Sequence, residues 1–299
     1  MTTETNSPIL ILGGTGKTGG RIARRLTARN VPVRIGSRSG QPPFDWQDRS
    51  TWAAVLHGVK AVYVSFYPDL AVPGAAEAVG TFTKLAVERG VERLVLLSGR
   101  GEEEAQKSEQ LVRNAGVDWT ILRASWFAQN FSESFLLDGV LAGEIALPIG
   151  DVREPFVDAD DIADVAVAAL TEPGHAGELY ELTGPRLLTF GEATAEIAAA
   201  SNKAVTYQRV SAEDYTATLV QYELPADDIA LFTYLFTEVL DGRNSSLTNG
   251  VQRALGRPAR DFREYAESAA ATGVWAGQPG SDTPFQTRVN AVFPGLRTP

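Results

Sequence analysis

Short apolar runs alternate with longer amphipathic stretches through the first half of the chain. The runs at 9–12 (ILIL), 61–66 (AVYVSF) and 93–99 (RLVLLSG) are largely apolar on both faces, as buried parallel strands are. The stretches between them carry apolar residues at helical spacing, and the stretch at 74–90 ends at a glycine. This alternation predicts an α/β fold built on a doubly wound parallel sheet.

The pattern changes beyond about residue 150. Residues 151–185 are predicted to add strand and helix elements to the first domain, whereas residues 186–275 are predicted to be mainly helical. From 276 to 299 the chain is rich in Gly, Pro, Ser and Thr and has no periodicity, which predicts an irregular tail. We therefore expect a first domain over 1–150, extended by 151–185, and a smaller second domain over 186–275.

The glycine-rich segment LILGGTGKTGGRIARRL fits two phosphate-binding motifs. Its GKT at 16–18 resembles the end of a nucleoside-triphosphate loop, but that motif needs a glycine where Ile11 stands inside the first apolar run. The dinucleotide motif G-x-G-x-x-G is complete, because Gly14, Gly16 and Gly19 follow a predicted strand and open an amphipathic helix. In this motif the first glycine permits a tight turn, the second admits the pyrophosphate and the third lets the helix pack on the strand. We therefore predict a dinucleotide site.

The end of the second predicted strand indicates which dinucleotide is bound. Proteins that bind NAD usually place Asp or Glu about 20 residues after the glycines, where it accepts a hydrogen bond from the ribose 2′-hydroxyl. Here residues 35–39 are IGSRS and include no carboxylate. Ser37 and Arg38 suit a 2′-phosphate instead, because a guanidinium presents a fork of donors to phosphate. The sequence therefore predicts NADP(H) as the cofactor; the alternative is that Arg38 is a solvated loop residue.

Polar and aromatic residues follow three predicted strands, at the edge where open α/β sheets bind ligands. Those that follow two of the strands are predicted to bind the cofactor: Ser65, Phe66, Tyr67 and Ser98. Those that follow the strand DWTILR are predicted to bind the substrate: Trp126, Phe127 and Asn130. The alternatives are ordinary loop contacts for the first group and core packing for the aromatic residues of the second.

Other clusters of ionisable residues favour structural roles. Asp158, Asp160 and Asp161 are expected to cap a helix and complement its dipole rather than hold a metal. The glutamates at 102–104 are expected to form a solvated first helical turn. The two histidines of the chain have no partner at a metal-ligand spacing, so no metal site is predicted.

Composition and charge narrow the class of protein. The 299 residues are 44% hydrophobic and include no cysteine, which excludes disulfides, thiolate metal sites and a cysteine nucleophile. The formal net charge of −10 argues against nucleic acid or an anionic membrane as the main partner. No apolar run approaches the roughly 20 residues of a membrane span, and the polar N-terminus is not expected to act as a signal peptide. We expect a cytoplasmic protein that acts on a small molecule, with its oligomeric state open.

One common catalytic pair of short-chain dehydrogenases is absent from the sequence. That pair is Tyr-x-x-x-Lys, in which the lysine lowers the pKa of the tyrosine for proton transfer. None of the eight tyrosines is followed by a lysine four residues later. Carbonyl reduction by that route is therefore not expected, and no catalytic residue is assigned.

Several segments together resemble the NmrA-like atypical short-chain dehydrogenases/reductases, in particular the quinone reductase and agroclavine dehydrogenase-like branch. These segments are GGTGKTGGRIARRL, FDW, ERLVLLSG, WTILRASWFAQNFSE and PFVDADDIADVAVAAL. The resemblance covers about residues 8–275 and implies a Rossmann-type domain, a small, mainly helical C-terminal substrate domain and bound NADP(H). Where family members often carry a proline after LR, this chain has Ala124-Ser125.

The resemblance also implies roles for individual residues. It places six residues at the pyrophosphate: Gly13, Thr15, Gly16, Lys17, Thr18 and Gly19. Asp45 is expected near the adenine, and Phe66 and Tyr67 near the ribose–nicotinamide side. We expect an NADPH-dependent reductase of a small, largely apolar acceptor such as a quinone or an imine/iminium; the alternative is a non-catalytic NADP(H)-sensing regulatory protein.

Overall fold

The computed structural model describes residues 7–277, which form two compact units. The first unit comprises the described residues up to Ala124 together with Ala159–Leu182 and Asn249–Pro258. The second comprises Ser125–Asp158, Thr183–Thr248 and the described residues from Ala259 onward. Both units are discontinuous in sequence, whereas the expected domains were nearly contiguous segments. Of the irregular tail expected over 276–299, residues 278–299 lie outside the described part of the chain.

Ten strands and eleven α-helices make up the two units. The strands are β1 (Ile9–Leu12), β2 (Val33–Gly36), β3 (Ala61–Val64), β4 (Arg93–Gly99), β5 (Asp118–Ala124), β6 (Glu144–Leu147), β7 (Arg153–Glu154), β8 (Glu178–Leu182), β9 (Leu188–Thr189) and β10 (Thr206–Arg209). The helices are α1 (Lys17–Ala28), α2 (Trp52–Val55), α3 (Ala75–Glu88), α4 (Glu103–Arg113), α5 (Leu136–Ala142), α6 (Ala159–Thr171), α7 (Phe190–Ser201), α8 (Ala212–Gln221), α9 (Ala226–Tyr234), α10 (Gly250–Leu255) and α11 (Phe262–Ala271). These counts cover residues 7–277 only.

The first unit contains a six-stranded parallel sheet in the order β2-β1-β3-β4-β5-β8. Alternate side chains of β1, Leu10 and Leu12, pack into a buried cluster with Trp52 and Phe82. Tyr63 of β3 lies on the opposite face of the sheet, and its hydroxyl donates a hydrogen bond to Thr18 of α1. Because strands buried on both faces must be apolar throughout, the uninterrupted runs in the sequence were a sound signal. The predicted α/β fold with a Rossmann-type parallel sheet is confirmed.

The second unit is mainly helical and carries two small sheets. β10 pairs with β6 in parallel, and β7 pairs with β9 antiparallel. α7 begins at a capping box, in which Thr189 Oγ1 accepts from the Glu192 amide and Glu192 accepts from the Thr189 amide. The helical C-terminal region was predicted, but the short strand β10 was not, since Thr206–Arg209 has little of the apolar character that marks a strand.

None of the helices between residues 7 and 277 combines the length and apolar character of a membrane span. The same part of the chain holds no group of three or more His, Asp or Glu side chains placed to bind a metal ion.

Candidate functional site

The glycine-rich loop joins β1 to α1 at the carboxyl edge of the sheet. Gly13 has a φ of +65°, so the tight turn falls on the first residue after β1. Its amide donates to the Gly36 carbonyl at 3.0 Å, and the Gly16 amide donates back to the Gly13 carbonyl at 2.8 Å. Gly16 is the N-cap of α1 and has no side chain to cap the first amides, and no acidic residue stands in the first helical turn. Uncapped amides at the positive end of a helix dipole form a binding place for an anion.

The glycines of this loop have different structural roles, and the role of Gly14 differs from the expected one. A Cβ on Gly14 would lie 2.8 Å from Ile35 Cδ1, so Gly14 is needed for packing while Gly13 makes the turn expected of Gly14. A Cβ on Gly19 would lie 2.3 Å from the Gly13 carbonyl oxygen, which shows how closely α1 approaches the loop. A Cβ on exposed Gly16 would meet, among the described atoms within 4 Å, just the Gly13 carbonyl oxygen at 3.3 Å. The space over Gly16 is thus open, and a branched side chain would fill it.

The loop side chains divide into an outer and an inner set. Thr15 is exposed and Lys17 is half-buried, so both lie on the outer side. Thr18 is buried, and its Oγ1 accepts a 3.0 Å hydrogen bond from the hydroxyl of Tyr63 in β3. Burial raises the pKa of Tyr63, which keeps this donor protonated. The Thr18 side chain therefore supports the loop from within, and its backbone amide is the part that can serve a phosphate.

The segment after β2 contains an arginine side chain that is available to bind a ligand. Arg38 is exposed and makes no hydrogen bond or ion pair with any residue between 7 and 277. Ser37 Oγ lies 3.4 Å from Ser39 Oγ beside it. Arg34, which precedes them on β2, is committed elsewhere, because it donates to the carbonyls of Val55 (2.7 Å) and His57 (2.6 Å).

Asp45 lies in the turn that follows. Its Oδ1 accepts a 2.9 Å hydrogen bond from the Gln47 amide, and its carbonyl accepts a 2.7 Å bond from Trp52 Nε1. These bonds make Asp45 a turn-forming residue whose backbone is fixed by the buried Trp52 ring. Its expected position near an adenine stays a prediction.

The residues after β3 lie against the glycine-rich loop and the turn after β2. A Cβ on Gly13 would lie 3.5 Å from Ser65 Oγ, so Ser65 borders the loop directly. Trp46 Nε1 donates to the Ser65 carbonyl at 3.0 Å, and the Trp46 ring centroid is 4.9 Å from that of Phe66. Ser65, Phe66 and Tyr67 are all half-buried. The structure thus brings together the loop and the predicted residues that follow β3.

Ser98 is placed differently from the other predicted cofactor residues. It is buried near the end of β4, and its hydroxyl donates to Glu109 Oε1 of α4 at 2.7 Å. Arg123 Nε donates to the same oxygen at 2.8 Å, and Arg123 Nη1 donates to Glu181 Oε1 at 3.0 Å. The Glu109 and Glu181 carboxylates in turn raise the pKa of Arg123. The Ser98 hydroxyl is therefore part of an internal network that ties β4, β5, β8 and α4 together.

Glu102 is buried, so the expectation of a solvated turn at 102–104 was wrong for its first residue. Its carboxyl lies against the end of β4, where a Cβ on Gly99 would come within 2.1 Å of Glu102 Oε1. It hydrogen-bonds Asp69, which follows β3. Burial, the Asp69 charge and the Glu109 charge raise the pKa of Glu102 well above its usual range, so folding favours the protonated form of Glu102.

Sequence reasoning missed this carboxyl pair at the sheet edge. The signal was available, since Glu102 comes three residues after the last residue of a buried strand. It was overridden because three consecutive glutamates at a helix start usually face water. Glu103 is indeed exposed, and Glu104 forms an ion pair with Lys107.

The three predicted substrate residues lie in the second unit. Trp126 is half-buried, with its ring 5.4 Å from Phe236 and 6.1 Å from Phe190 between centroids. Phe127 precedes the 3₁₀ turn Ala128–Phe131 and pairs with Val157 in an isolated bridge. Asn130 is half-buried within that turn. Because its backbone is fixed on both sides of the bridge, this segment holds its side chains in defined places.

The aspartates around the start of α6 form ion pairs and hydrogen bonds. In the first unit Arg25 reaches Asp160 (2.5 Å) and Asp164 (2.6 Å), while Arg257 reaches buried Asp161 (2.7 Å). In the second unit Asp158 accepts a 2.7 Å bond from Gln129 Nε2. The aspartates therefore form ion pairs and hydrogen bonds within each unit, in addition to the helix capping that was expected.

Comparisons with known proteins agree with this geometry. Residues 13–173 match the protein family described as NAD(P)H-binding. Festuclavine synthase I of Penicillium roqueforti is 32% identical over 282 residues, which cover 87% of this chain and 97% of that protein. NAD(P)H azoreductase of Xenophilus azovorans is 29% identical over 288 residues, which cover 88% and 98%.

A solved structure supports the fold. The NADPH-dependent quinone oxidoreductase of Escherichia coli, in complex with NADPH, superposes with a TM-score of 0.73 at 22% identity, covering 87% of this chain and 99% of that one. With the open glycine-rich loop, the uncapped start of α1 and the family match over more than half of the chain, the assignment follows. The chain belongs to the NAD(P)H-binding, NmrA-like atypical short-chain dehydrogenase/reductase family, whose members include NAD(P)H-dependent reductases.

Proposed function

We propose that this protein is an NADPH-dependent reductase that transfers hydride to a small, largely apolar acceptor, such as a quinone or an imine. The observation that carries the proposal is the phosphate-binding loop, which is open over Gly16 and uncapped at α1, with the uncommitted Arg38 in the same unit. Similarity to festuclavine synthase, an azoreductase and a quinone oxidoreductase supports the reductase class.

The residues present fit an NADP(H) molecule. The amides at the start of α1 and the loop Gly13–Gly19 would hold the pyrophosphate, with Thr15 and Lys17 on the outer side. Ser37 and Arg38 would hold the 2′-phosphate, and no carboxylate at 35–39 would repel it. Asp45 would lie by the adenine, and Ser65, Phe66 and Tyr67 by the nicotinamide half. For Ser98 the structure favours support of β4, because its hydroxyl is committed to Glu109.

The acceptor side of the proposal rests on the second unit. A bound nicotinamide would supply the hydride. Trp126, Phe127 and Asn130 supply two aromatic rings and one amide, a combination that suits a flat molecule of low polarity. A quinone or an iminium places modest demands on a protein acid, which agrees with the absence of a Tyr-x-x-x-Lys pair in the sequence.

The test is NADPH oxidation, followed by absorbance, with a panel of quinones and cyclic imines. We expect turnover with at least one member. Trp126→Ala should lower kcat/KM by about tenfold or more, the loss expected when a ring that stacks on a ligand is removed, and leave NADPH affinity within about twofold.

Asp118→Asn, a surface change in the first unit, is the matched control and should alter neither quantity. Tight NADPH binding without turnover across the whole panel would overturn the reductase proposal and support a cofactor-sensing regulator. Loss of NADPH affinity and turnover together in Trp126→Ala would contradict its placement on the acceptor side.

A further inference from the structure

Five aromatic side chains of the second unit form one connected group, here called the Trp126 cluster. It consists of Trp126, Phe135, Tyr215, Phe232 and Phe236. The Phe236 ring centroid lies 5.4 Å from that of Trp126, 5.4 Å from that of Tyr215 and 5.9 Å from that of Phe135. Phe135 in turn lies 4.7 Å from Phe232. Trp126 and Phe135 are half-buried and the other three rings are buried, so the first two are the rings that a flat ligand can meet.

A buried carboxylate stands on the same helix face as part of this cluster. The buried residues of α9 are Asp228, Leu231 and Phe232, and their spacing places Asp228 one helical turn before Phe232. Asp228 is 2% exposed, and its Oδ2 has no hydrogen-bond partner anywhere in the described chain. Its neighbour Asp227 is exposed and can complement the helix dipole from water. Asp228 also stands in the first turn of α9, but its buried Oδ2 accepts no hydrogen bond there, so the helix start does not satisfy this oxygen.

An unpaired carboxylate is costly inside a protein, and a cation is its ordinary partner. Burial, with a smaller effect of Asp227, raises the pKa of Asp228 to about 6, which leaves the group mostly ionised near neutral pH. The Phe232 ring, one turn along the helix, favours a positive charge as well, since the face of an aromatic ring is electronegative. Carboxylate and rings therefore select for the same kind of ligand.

Two further polar atoms in this unit lack partners. Trp126 Nε1 and Ser125 Oγ are both buried, and neither has a hydrogen-bond partner among residues 7–277. Both follow β5 in the segment predicted to contact the substrate. A ligand that carries an acceptor atom would satisfy one of these donors, which gives the site direction as well as charge preference.

We propose that Asp228 is the counter-ion for a positively charged nitrogen of the acceptor, whose flat apolar part packs on the Trp126 cluster. The inference rests on the proposed reductase function and deepens it: the acceptor is a cationic nitrogen compound rather than a neutral quinone. A neutral ligand would leave the Asp228 charge buried and unpaired, whereas a cation removes that cost. Asp228 is thus a specificity-determining residue.

The test compares two ligands of the same shape, the cation N-methylquinolinium and the neutral 1-methylnaphthalene. Their affinities are measured by calorimetry on the full chain saturated with NADP⁺, which offers no hydride. Wild type should prefer the cation by roughly ten- to a hundredfold, the range of a charge-assisted contact. Asp228→Asn should remove that preference and leave the affinity for the neutral ligand within about twofold.

Asp227→Asn is the matched control, since it removes an exposed neighbouring carboxylate, and it should keep the preference. Trp126→Ala provides an independent variant, which removes one ring of the cluster and should weaken both ligands while it keeps the preference for the cation. Equal affinity for the two ligands in wild type, or an equal effect of Asp227→Asn and Asp228→Asn, would overturn the inference. Quinone turnover without a preference for the cation would contradict the role of Asp228 and leave the reductase proposal intact. A preference for the cation that depends on Asp228, without turnover of any acceptor, would support the binding role of Asp228 and contradict the reductase proposal.

Discussion

The glycine-rich loop of the first unit and the Trp126 cluster of the second treat their polar groups in opposite ways. In the loop, the groups that suit a ligand are backbone amides at an exposed helix start, and the Thr18 side chain is bonded inward to Tyr63. Around the cluster, Tyr215, Phe232 and Phe236 lie in helical segments, and the polar atoms that lack partners belong to the side chains of Ser125, Trp126 and Asp228.

This difference makes the glycine-rich loop a general phosphate-binding site and the Trp126 cluster a selective one. Backbone amides recognise phosphate whatever else the ligand carries, so the same loop suits any dinucleotide. Side chains such as Trp126 and Asp228 impose shape and charge, which vary with the acceptor. Changes in the loop should therefore act on cofactor binding as a whole, and changes in side chains should act on selectivity.

The largest expected effect is that of Gly16→Val in the loop. Its Cβ meets little protein, so the fold should survive with a Tm close to that of wild type, while the branched side chain occupies the space over the uncapped amides. We expect NADPH affinity, measured by fluorescence titration, to fall by more than about a hundredfold, beyond the reach of one charged hydrogen bond.

Gly20→Ala is the control, because its Cβ would make ordinary contacts, the nearest at 3.5 Å. It should bind NADPH as wild type does. Retention of NADPH affinity within about threefold in Gly16→Val would break the claim that backbone amides carry cofactor binding.

A smaller effect, on selectivity within the cofactor site, is expected for Arg38→Ala. A charge-assisted hydrogen bond contributes roughly 1.5 to 3 kcal/mol, which is about ten- to a hundredfold in affinity. NADPH binding should weaken by that factor and NADH binding should stay nearly unchanged, in paired titrations at one ionic strength. Arg34→Gln serves as the control, since Arg34 bonds carbonyls of the protein and should affect stability rather than the ratio. A loss shared equally by both cofactors would contradict the role of Arg38.

The smallest effect is expected for Glu102→Gln, which tests the buried carboxyl pair by stability. A carboxyl whose pKa is raised by folding binds a proton more tightly in the folded state, so stability falls as pH rises above its unfolded pKa of about 4.3. Removing the titrating group should raise the stability at pH 8 by on the order of 1 kcal/mol, which is about 2–4 °C in Tm. The gain should become much smaller near pH 4, below the unfolded pKa, where the glutamate is mostly protonated in both states.

Glu103→Gln is its matched control, an exposed residue of the same turn, and its effect on Tm should be the same at pH 4 and pH 8. A Tm gain in Glu102→Gln that does not change between these two pH values would show that folding does not raise the pKa of Glu102.

The fold and the loop were accessible from sequence because both depend on short-range patterns. Buried parallel strands must be apolar at successive positions, and Ile9–Leu12 met that requirement. The loop needs glycines at fixed spacings, although its positive φ falls on Gly13 rather than on Gly14, since β1 ends at Leu12. Which glycine makes the turn depends on where β1 ends to within one residue, and hydropathy alone does not locate a strand end that accurately.

The sequence by itself determined the α/β class, the dinucleotide loop and the absence of an acidic residue at the end of β2, because each is written in neighbouring residues. Only the tertiary structure decided which side chains are committed and which are not. Ser98 and Arg34 proved to be bonded within the protein, Glu102 proved to be buried against Gly99, and Asp228 proved to be buried with an unpaired oxygen. The partner of a polar side chain comes from residues distant in sequence, so the commitment of these groups depends on packing that no local pattern records.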